Sequence, residues 1–385
     1  MKIGYYQIYH YPRGGTWNYT RHLSRSMARI SGEDGIYFLT TRHKARKLRN
    51  HFTTQDNIHY NTDLLHPSML GSVGAPLIRL INQWKWEMIS KKMDIIHFTD
   101  TVRFPRVKIS NFVATIHDLT CFYEWNEMTK AEEAVKLNVP FIVKHSRLIC
   151  VPSHFVAQEL LKYFPDSEGK VWVTYEATHE QFRPTPLNRD LLRKWGLDPK
   201  TSYFLYVGDI FYRKNLLRLI EAFATLPRNI QEKFKLVFIA GDGSASQKRK
   251  VYEKVRDLSL SERFLHLAGI SDSDLVHLYN GAFACVYPSL SEGFGLPILE
   301  AMQCGCPVIT SNCSSMPEVA GDAAILVDPY NVESIRDGML QLIEKPDLRQ
   351  SLTKKGFQRA KEFSWEKTAQ ETYKGYQAVL RGEVS

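Results

Sequence analysis

The chain has 385 residues, of which 44% are hydrophobic and 24% are charged, and its formal net charge is +9. The length predicts two domains of roughly 150–200 residues each, and the composition, free of low-complexity tracts and repeats, excludes a solenoid. The positive charge fits nucleic acid, an anionic membrane surface or an anionic small substrate. We expect no nucleic acid, because aromatic residues do not interleave the early basic cluster of Arg42, Lys44, Arg46, Lys47 and Arg49.

The first half of the chain alternates short apolar strands with helical stretches. Helical patterns run from Asn18 to Ile30 and from Ser153 to Tyr163. This alternation predicts a parallel sheet that is covered on both faces by helices. Met1 to Tyr6 has the pattern of a strand rather than of a signal peptide, so we expect a cytoplasmic protein. The predicted strands are 2–6, 35–39, 95–98, 112–116, 148–151 and 171–173.

The segment from Met69 to Met93 has two interpretations. It could be a helix that lies on a membrane surface, or a core helix with a solvated basic face. No stretch of the chain approaches the roughly 20 apolar residues that a spanning helix needs. The residues behind both interpretations are Leu77, Ile78, Ile81, Trp84 and Trp86, set among Arg79, Lys85, Lys91 and Lys92.

A second series of strands begins at Tyr203, after a boundary that we place between Thr178 and Ser202, where prolines favour an extended chain. Two such series predict two doubly wound domains whose ligands bind at the carboxyl ends of the strands. The predicted N-terminal domain is 1–180, the linker 181–200, the C-terminal domain 201–363 and a last helix 364–385. The later strands are 236–240, 264–267, 283–286, 308–310 and 324–327.

The six cysteines are scattered and stand mostly among apolar neighbours, which predicts buried free thiols. Cys304-Gly-Cys306 has no second ligand pair at a metal-binding spacing. Asp272 and Asp274 have the spacing of a metal-binding pair, but they open a predicted helix, where acidic residues are favoured. We therefore predict no metal site.

Two adjacent cations follow the strand that ends at Val207, in Gly208-Asp-Ile-Phe-Tyr-Arg213-Lys214-Asn215. Taken alone, such a pair is usually solvated surface. At the carboxyl end of a strand it suits a diphosphate, because two cationic donors neutralise the negative charge of the phosphates.

A glycine turn follows the buried strand 282–287 in Pro288-Ser-Leu-Ser-Glu292-Gly-Phe-Gly295-Leu-Pro297-Ile-Leu-Glu300. Pro297 suits the first turn of the helix that begins there. The N–H groups at a helix N-terminus favour phosphate. Glu292 and Glu300 can accept hydrogen bonds from sugar or ribose hydroxyls. The segment therefore predicts a nucleotide-sugar site.

The spacing of Glu292 and Glu300 resembles the E-x7-E signature of retaining glycosyltransferases of the GT-B fold, especially glycosyltransferase group 1, family 4. The resemblance covers most of the chain and implies an α/β fold with two Rossmann-like doubly wound parallel-sheet domains that face a central cleft. The last helix would return to the N-terminal domain. Further motifs occur in the family's order: Tyr206-Val-Gly208, Arg213-Lys-Asn215, Ile239-Ala-Gly241, Ala268-Gly269 and Pro317-Glu-Val-Ala-Gly321.

By this resemblance the second domain binds a nucleotide-diphosphate sugar without a metal ion or other cofactor. Arg213 and Lys214 would stabilise the departing diphosphate, Glu292 would contact sugar hydroxyls and Glu300 would hold the ribose. The other residues implied in donor binding are Gly15, Gly208, Gly241, Gly269, Gly293, Phe294, Gly295 and Leu296.

In the first domain, Ala114-Thr-Ile-His117-Asp118 is similar to a family motif near the transferred sugar. We expect His117 to contact the sugar, with a satisfied core histidine as the alternative, and Asp118 is a candidate for the acceptor side or for a general base. The loop 11–16 resembles the family's glycine loop, where Arg13 could meet an acidic acceptor and Trp17 could shape its pocket. Tyr175-Glu176-Ala177 departs from the commoner Asn-Gly pattern, which leaves the role of that loop open.

The implied function is retaining transfer of a hexose to a glycan or polyprenyl-diphosphate-linked acceptor in cell-surface polysaccharide biosynthesis, with a membrane-associated location as an option. The motif order favours mannose from GDP-mannose, and UDP-sugars are the alternative. Two other classes are a nucleic-acid-binding protein, which no motif supports, and a non-catalytic nucleotide-sugar-binding protein. The second is disfavoured by the intact set of Arg213, Lys214, Glu292 and Glu300.

Overall fold

The computed structural model describes residues 1–7, 15–31, 35–52, 56, 58–64, 71–124, 128–241 and 243–384, and at 71–80 it describes the backbone alone. These residues form two compact units. The first unit comprises Met1–Glu176 with Ser364–Ser385, and the second comprises Ala177–Phe363. Each unit contains one parallel sheet with helices packed against it, in agreement with the predicted fold class.

The described part of the first unit forms a seven-stranded sheet in the order β3-β2-β1-β4-β5-β6-β7. Its strands are β1 (Ile3–Tyr6), β2 (Ile36–Leu39), β3 (Ile58–Asn61), β4 (Ile95–Phe98), β5 (Phe112–Thr115), β6 (Leu148–Val151) and β7 (Val171–Val173). The central strands are buried on both faces, as their apolar runs predict. Strand β3 was not predicted, because this edge strand, Ile-His-Tyr-Asn, has no apolar run.

The described part of the second unit forms a six-stranded sheet in the order β10-β9-β8-β11-β12-β13. Its strands are β8 (Ser202–Val207), β9 (Phe234–Ile239), β10 (Phe264–Leu267), β11 (Ala284–Tyr287), β12 (Val308–Ser311) and β13 (Ala324–Val327). All six correspond to predicted strands, with ends that differ by at most two residues. Five of the six cysteines are buried free thiols, and Cys313 is partly buried.

Helices cover both sheets. The described helices are α1 (Gly15–Ile30), α2 (Arg42–Leu48), α3 (Gly71–Ser90), α4 (Lys130–His145), α5 (His154–Tyr163), α6 (Arg189–Lys194), α7 (Leu216–Ala224), α8 (Arg228–Gln231), α9 (Ala245–Asp257), α10 (Asp272–Gly281), α11 (Leu296–Gln303), α12 (Met316–Ala320), α13 (Val332–Glu344), α14 (Pro346–Ala360) and α15 (Trp365–Arg381). Single 3₁₀ turns lie at Arg49–His51, Thr120–Phe122, Pro165–Ser167 and Tyr212–Lys214.

The last helix, α15, belongs to the first unit and packs against α1. The indole Nε1 of Trp172 donates to the carbonyl of Glu371 at 3.0 Å. The hydroxyl of Tyr376 lies 2.6 Å from Nδ1 of His97 inside the core. A Cβ at Gly375 would lie 2.7 Å from Leu148 Cδ2, so this glycine permits the close approach of α15 to β6.

The residues predicted as a linker, 181–200, pack onto the second unit. The backbone N–H of Thr185 donates to Oδ1 of Asn280 at 2.8 Å, and Nδ2 of Asn280 donates to the carbonyl of Arg183 at 3.0 Å. Farther on, the indole of Trp195 donates to Asp274 at 3.2 Å. These bonds explain why the second unit already begins at Ala177.

Each sheet has one place where the strand order reverses. In the second unit, β9 and β10 continue on one side of β8, whereas β11, β12 and β13 continue on the other. In the first unit the same reversal lies between β1 and β4. Ligands of open α/β sheets bind beyond the carboxyl ends of the strands at such a point. The loops after β8 and β11 are therefore where a ligand of the second unit is expected.

Candidate functional site

The loops after β8 and β11 bring the two predicted motifs together. Nζ of Lys214 lies 2.7 Å from Oε1 of Glu292, and a guanidinium nitrogen of Arg213 lies 2.8 Å from Oε2 of the same carboxylate. The three side chains are 11%, 19% and 9% exposed, in the order Lys214, Arg213 and Glu292. This cluster, which we call the cation site, arises because β8 pairs directly with β11.

Tyr287 completes the cation site and was not among the predicted residues. Its hydroxyl donates to Oε1 of Glu292 at 2.7 Å and accepts from Nζ of Lys214 at 2.9 Å. The ammonium group also lies 5.3 Å from the centroid of the Tyr287 ring. The signal in the sequence was a tyrosine at the last position of a buried strand, at the edge of the sheet where ligands bind.

The cation site holds two positive charges around the carboxylate of Glu292, and the charge of Asp209 also acts on Lys214. Burial alone would raise the pKa of Glu292, but the charges and hydrogen bonds of Lys214 and Arg213 outweigh burial and lower this pKa to about 2. Glu292 is therefore ionised at neutral pH and pairs with both cations. Burial also lowers the pKa of Lys214, an effect that the charge of Glu292 opposes. Two adjacent cationic side chains at the carboxyl edge of the sheet suit an anionic ligand.

Two residues in left-handed conformations brace the loops of the cation site. Asn215, with φ of 60°, donates through Nδ2 to the carbonyls of Pro288 at 2.9 Å and Pro329 at 2.6 Å. Ser314, also with φ of 60°, accepts from the backbone N–H of Glu292 at 3.0 Å and donates to its carbonyl at 2.8 Å. Such conformations persist only where the surroundings hold them, so the loops are rigidly positioned.

The glycine turn leads directly into α11. Gly295 has φ of 110°, a conformation that favours glycine, and Leu296 and Pro297 form the first turn of the helix. Phe294 is only 4% exposed, and its ring packs against Phe363 at a centroid distance of 5.7 Å. Its side chain therefore anchors the turn in the core, and only its backbone is suited to a ligand. Gly293 precedes it and is also buried.

The other predicted glycines of the second unit lie at the same edge of the sheet. Gly208 follows β8, and its backbone N–H donates to the carbonyl of Ile239 at 3.0 Å. A Cβ at Gly241 would lie 3.6 Å from Asp209 Oδ1, so the loops after β8 and β9 run close together. Gly269 follows β10 with φ of 70°. These three glycines therefore stand at the ends of three adjacent strands.

Glu300 lies on α11 and contacts a second tyrosine that was not predicted. The hydroxyl of Tyr279 donates to Oε2 of Glu300 at 2.9 Å. Burial raises the pKa of Glu300 to about 7, with the hydrogen bond from Tyr279 opposing this shift and the charge of Asp272 adding to it. Glu300 is therefore partly protonated near neutral pH before a ligand binds.

The acidic pair that resembles a metal site lies at the start of α10, as predicted. Ser271 caps this helix by accepting from the backbone N–H of Asp274 at 3.1 Å. Asp274 is also paired with Lys194 at 3.2 Å. Across the described ranges, the structure contains no group of three or more histidine, cysteine or acidic residues placed to hold a metal ion. Independence from metal stays a prediction.

In the first unit, His117 lies just after β5, at the carboxyl edge of that sheet. Its Nδ1 lies 2.9 Å from Oε1 of Glu176, and its Nε2 lies 3.0 Å from the carbonyl oxygen of Thr99. The ring of Tyr19 meets it edge-on at a centroid distance of 4.8 Å. Both ring nitrogens are thus engaged by the protein, so a sugar contact through either would have to displace one of these bonds.

The remaining predicted residues of the first unit have varied surroundings. Trp17 is only 3% exposed and packs on Phe38 and Phe52, so it is a core residue in this structure rather than the wall of a pocket. Oδ1 of Asp118 accepts from the N–H and the hydroxyl of Thr120, at 3.1 and 2.7 Å, and so stabilises a turn. Gly15 begins α1 and is exposed. Arg13 lies outside the described residues.

Comparison with known proteins identifies the family. The sequence model described as "Glycosyl transferases group 1" matches residues 188–359. O-antigen chain mannosyltransferase B of Escherichia coli is 32% identical over 282 residues, which cover 71% of this chain and 71% of the relative. The chain belongs to the group 1 glycosyltransferases.

A second relative and a solved structure are also similar to this glycosyltransferase. The serotype-specific mannosyltransferase WbdA of Escherichia coli is 30% identical over 60% of this chain and 28% of its own length. The crystal structure of Anabaena Alr3699/HepE in complex with UDP and glucose superposes with a TM-score of 0.76 at 15% identity, covering 98% and 100% of the two chains. The likeness confirms the predicted GT-B fold.

Proposed function

We propose that this glycosyltransferase moves a hexosyl group from a nucleotide-diphosphate sugar to a glycan or polyprenyl-diphosphate-linked acceptor, with retention and without a metal ion. The observation that carries the proposal is the cation site at the point where the strand order reverses. There Arg213 and Lys214 both contact the carboxylate of Glu292. Two adjacent cationic donors match the two phosphates of such a donor, and the N-terminus of α11 favours the same charge.

In this proposal the bond between C1 of the sugar and the diphosphate oxygen breaks, while the acceptor oxygen bonds to C1 on the same face. The proton of the acceptor hydroxyl passes to the departing diphosphate oxygen, so no protein nucleophile is needed. Arg213 and Lys214 stabilise the negative charge that grows on the diphosphate. Both oxygens of Glu292 accept hydrogen bonds, one from Arg213 and one from Lys214. We therefore expect Glu292 to orient these two cations as well as to contact sugar hydroxyls.

For the donor, we favour GDP-mannose, because the two curated relatives described above are named mannosyltransferases. UDP-sugars are the alternative, because Alr3699/HepE was solved with UDP and glucose. Thermal unfolding in the presence of GDP-mannose, UDP-glucose or an ADP-sugar distinguishes them, since a ligand that binds only the folded state raises its stability. Stabilisation by GDP-mannose alone supports the first choice, and stabilisation by none contradicts the proposal.

Retention and metal independence are tested on the product. With an α-linked donor, NMR of the purified product should show an α-linked hexose, and a β-linkage would contradict the displacement on one face. The reaction should proceed at an unchanged rate after prolonged treatment with a chelator. A non-catalytic sugar-binding protein would instead bind the donor and form no product.

The affinity for a nucleotide sugar should depend on pH through Glu300. The ribose hydroxyls donate to a carboxylate, so binding favours the ionised form of a group whose pKa is about 7. We expect affinity to rise with pH up to about 7 and to fall about tenfold per pH unit below it. The groups that influence Glu300 are Tyr279 and Asp272 on α10, with Cys285 and Cys304 nearby.

Calorimetric titration between mildly acidic and mildly alkaline pH measures this dependence. An intact nucleotide sugar is the required ligand, because the terminal phosphate of a free nucleoside diphosphate carries a proton with a pKa of about 6. The Glu300→Gln variant should bind weakly and without the pH dependence. A wild-type affinity that stays constant across pH 7 would contradict the role of Glu300.

We further propose that the protein acts in the cytoplasm, at the inner face of the cell membrane, with α3 against anionic lipid. Trp84 on this helix is 62% exposed and Met88 is 43% exposed, and the exposed Lys91 and Lys92 follow. Trp86 instead is buried against Tyr6, so one face of the helix faces the core and the other is exposed. Among the described residues, no helix is both long and apolar enough to cross a membrane.

Sedimentation with vesicles tests the membrane proposal. Wild-type protein should bind vesicles that contain anionic lipid at low salt and should not bind neutral vesicles. Trp84→Ala should weaken binding, whereas Tyr252→Ala, which removes an exposed aromatic ring in the second unit, should not. Absence of wild-type binding at low salt would contradict this proposal.

A further inference from the structure

The loop after β7 contains Glu176, a residue without a role in the proposed transfer. Its side chain is 9% exposed, and its Oε1 lies 2.9 Å from Nδ1 of His117. The other ring nitrogen of His117, Nε2, lies 3.0 Å from the backbone carbonyl oxygen of Thr99. The imidazole ring is therefore held from both sides by oxygen atoms of the first unit.

The identity of these two oxygens determines how many protons the ring carries. A carbonyl oxygen only accepts hydrogen bonds, so the contact with Thr99 requires a proton on Nε2. A carboxylate also accepts, so the contact with Glu176 requires a second proton on Nδ1. A ring with both protons is a cation, and its bond to Glu176 is then a charge-assisted hydrogen bond between a partly buried ring and a buried carboxylate.

The described titratable groups around the ring favour the same state. Asp118, the next residue, adds negative charge. Tyr19 stays neutral because burial raises its pKa well above the ordinary value, and His97 stays neutral because burial lowers its pKa to about 3. Burial also acts to lower the pKa of His117, but Glu176, the carbonyl of Thr99 and Asp118 outweigh burial, and the pKa is raised above 6.5.

We propose that Glu176 holds His117 as a doubly protonated imidazolium and fixes the orientation of its ring at the carboxyl edge of β5. Glu176 is then a positioning residue, since it acts through His117. A histidine in this state cannot take a proton from an acceptor hydroxyl, because neither nitrogen has a free lone pair. It supplies a fixed positive charge, which favours an anionic group of a bound substrate. The inference concerns the first unit alone and does not require the proposed function to be correct.

Histidine NMR on the full-length protein tests this inference directly. With isotope-labelled histidine, and with the His117→Gln variant to assign the signal, the ring of His117 should titrate with a midpoint above 6.5 and should carry two protons below that midpoint. A midpoint at or below 6.5 in the wild-type protein would overturn the proposal. This measurement needs neither a substrate nor a stable variant of Glu176.

The Glu176→Gln variant separates the charge of Glu176 from its hydrogen bond. Glutamine keeps an oxygen that accepts from Nδ1 but removes the negative charge, so burial should then dominate and the ring should titrate below 6.5. Glu168→Gln is the matched control, because Glu168 is an exposed carboxylate that lies just before β7, whereas Glu176 follows this strand. Equal titration of His117 in Glu176→Gln and wild type, or an equal shift in the control, would overturn the assignment to Glu176.

Activity gives a second readout that a purely structural role would not change. If transfer requires the imidazolium form of His117, Glu176→Gln should be active at low pH and should lose activity as pH rises through the lowered pKa of His117. The wild type should stay active to higher pH. Identical pH profiles in the two proteins would contradict this requirement. If neither protein shows transferase activity, the proposed function fails while the NMR result still decides the state of His117.

Discussion

Replacing Lys214 with methionine is expected to lower turnover about 100- to 1,000-fold. Methionine keeps an apolar stem in the buried position, but it removes the ammonium group that donates to Glu292 at 2.7 Å and to Tyr287 at 2.9 Å. The charge on the departing diphosphate would then be stabilised by Arg213 without its neighbour. Initial rates with a saturating nucleotide sugar measure the loss.

Lys254→Met is the matched control for this experiment. Lys254 also pairs with a glutamate of the second unit, Glu221, but both side chains are about a third exposed, and the pair lies on helices α7 and α9. The control should keep wild-type turnover, and urea unfolding of both variants separates lost catalysis from lost stability. Near-normal turnover in a folded Lys214→Met protein would remove the cation site from the mechanism.

Replacing Glu292 with alanine is expected to destabilise the second unit by about 3–5 kcal/mol, because it leaves buried charges without their partner. Arg213 and Lys214 would then face each other with no carboxylate between them, and Tyr287 would lose the oxygen to which its hydroxyl donates. The lost orientation of both cations should also abolish measurable transfer. Urea unfolding and initial rates measure the two effects separately, and wild-type values for both would contradict the structural account of this carboxylate.

The glutamine variant tests the electrostatic part of this account. Lowering the pKa of Glu292 from 4.5 to about 2 corresponds to about 3 kcal/mol of stability. A carboxylate whose pKa is lower in the folded state than in the unfolded state makes its full contribution to stability above pH 4.5. This contribution is lost as the pH falls towards 2. The difference in unfolding free energy between wild type and Glu292→Gln should therefore shrink by about 1 kcal/mol between about pH 7 and about pH 3.5.

Glu253→Gln is the control for the pH measurement, because Glu253 pairs with Arg249 on the exposed face of α9. Its difference from the wild type should be small at both pH values, since exposed ion pairs contribute little. If the Glu292→Gln difference were the same at both pH values, Glu292 would not be held ionised by its two cations.

Much of the fold was predictable because the buried strands are short apolar runs. The strands at 95–98, 148–151 and 324–327 have their predicted ends in the structure. The edge strand β3 was missed because its half-buried residues alternate with polar ones. The predicted linker packs onto the second unit through bonds between Thr185 and Asn280, which lie 95 residues apart and which no local pattern reveals.

The candidate site was predictable only in part, because its motifs are local and its contacts are not. Arg213, Lys214 and Glu292 stand in sequence patterns, and β8 and β11 bring them into contact. Tyr287 joins them only because these strands are neighbours, and Glu176 joins His117 across 59 residues. The sequence therefore indicated the charged residues of the donor site but not the partners that set their protonation and orientation.

The most direct test of the central claim is a crystal structure of the protein with a bound nucleoside diphosphate. We predict that the diphosphate oxygens lie within about 3 Å of the guanidinium of Arg213 and the ammonium of Lys214, with the ribose hydroxyls on Glu300. The account would be contradicted by a nucleotide that is bound elsewhere in the second unit and makes no contact with Arg213 or Lys214.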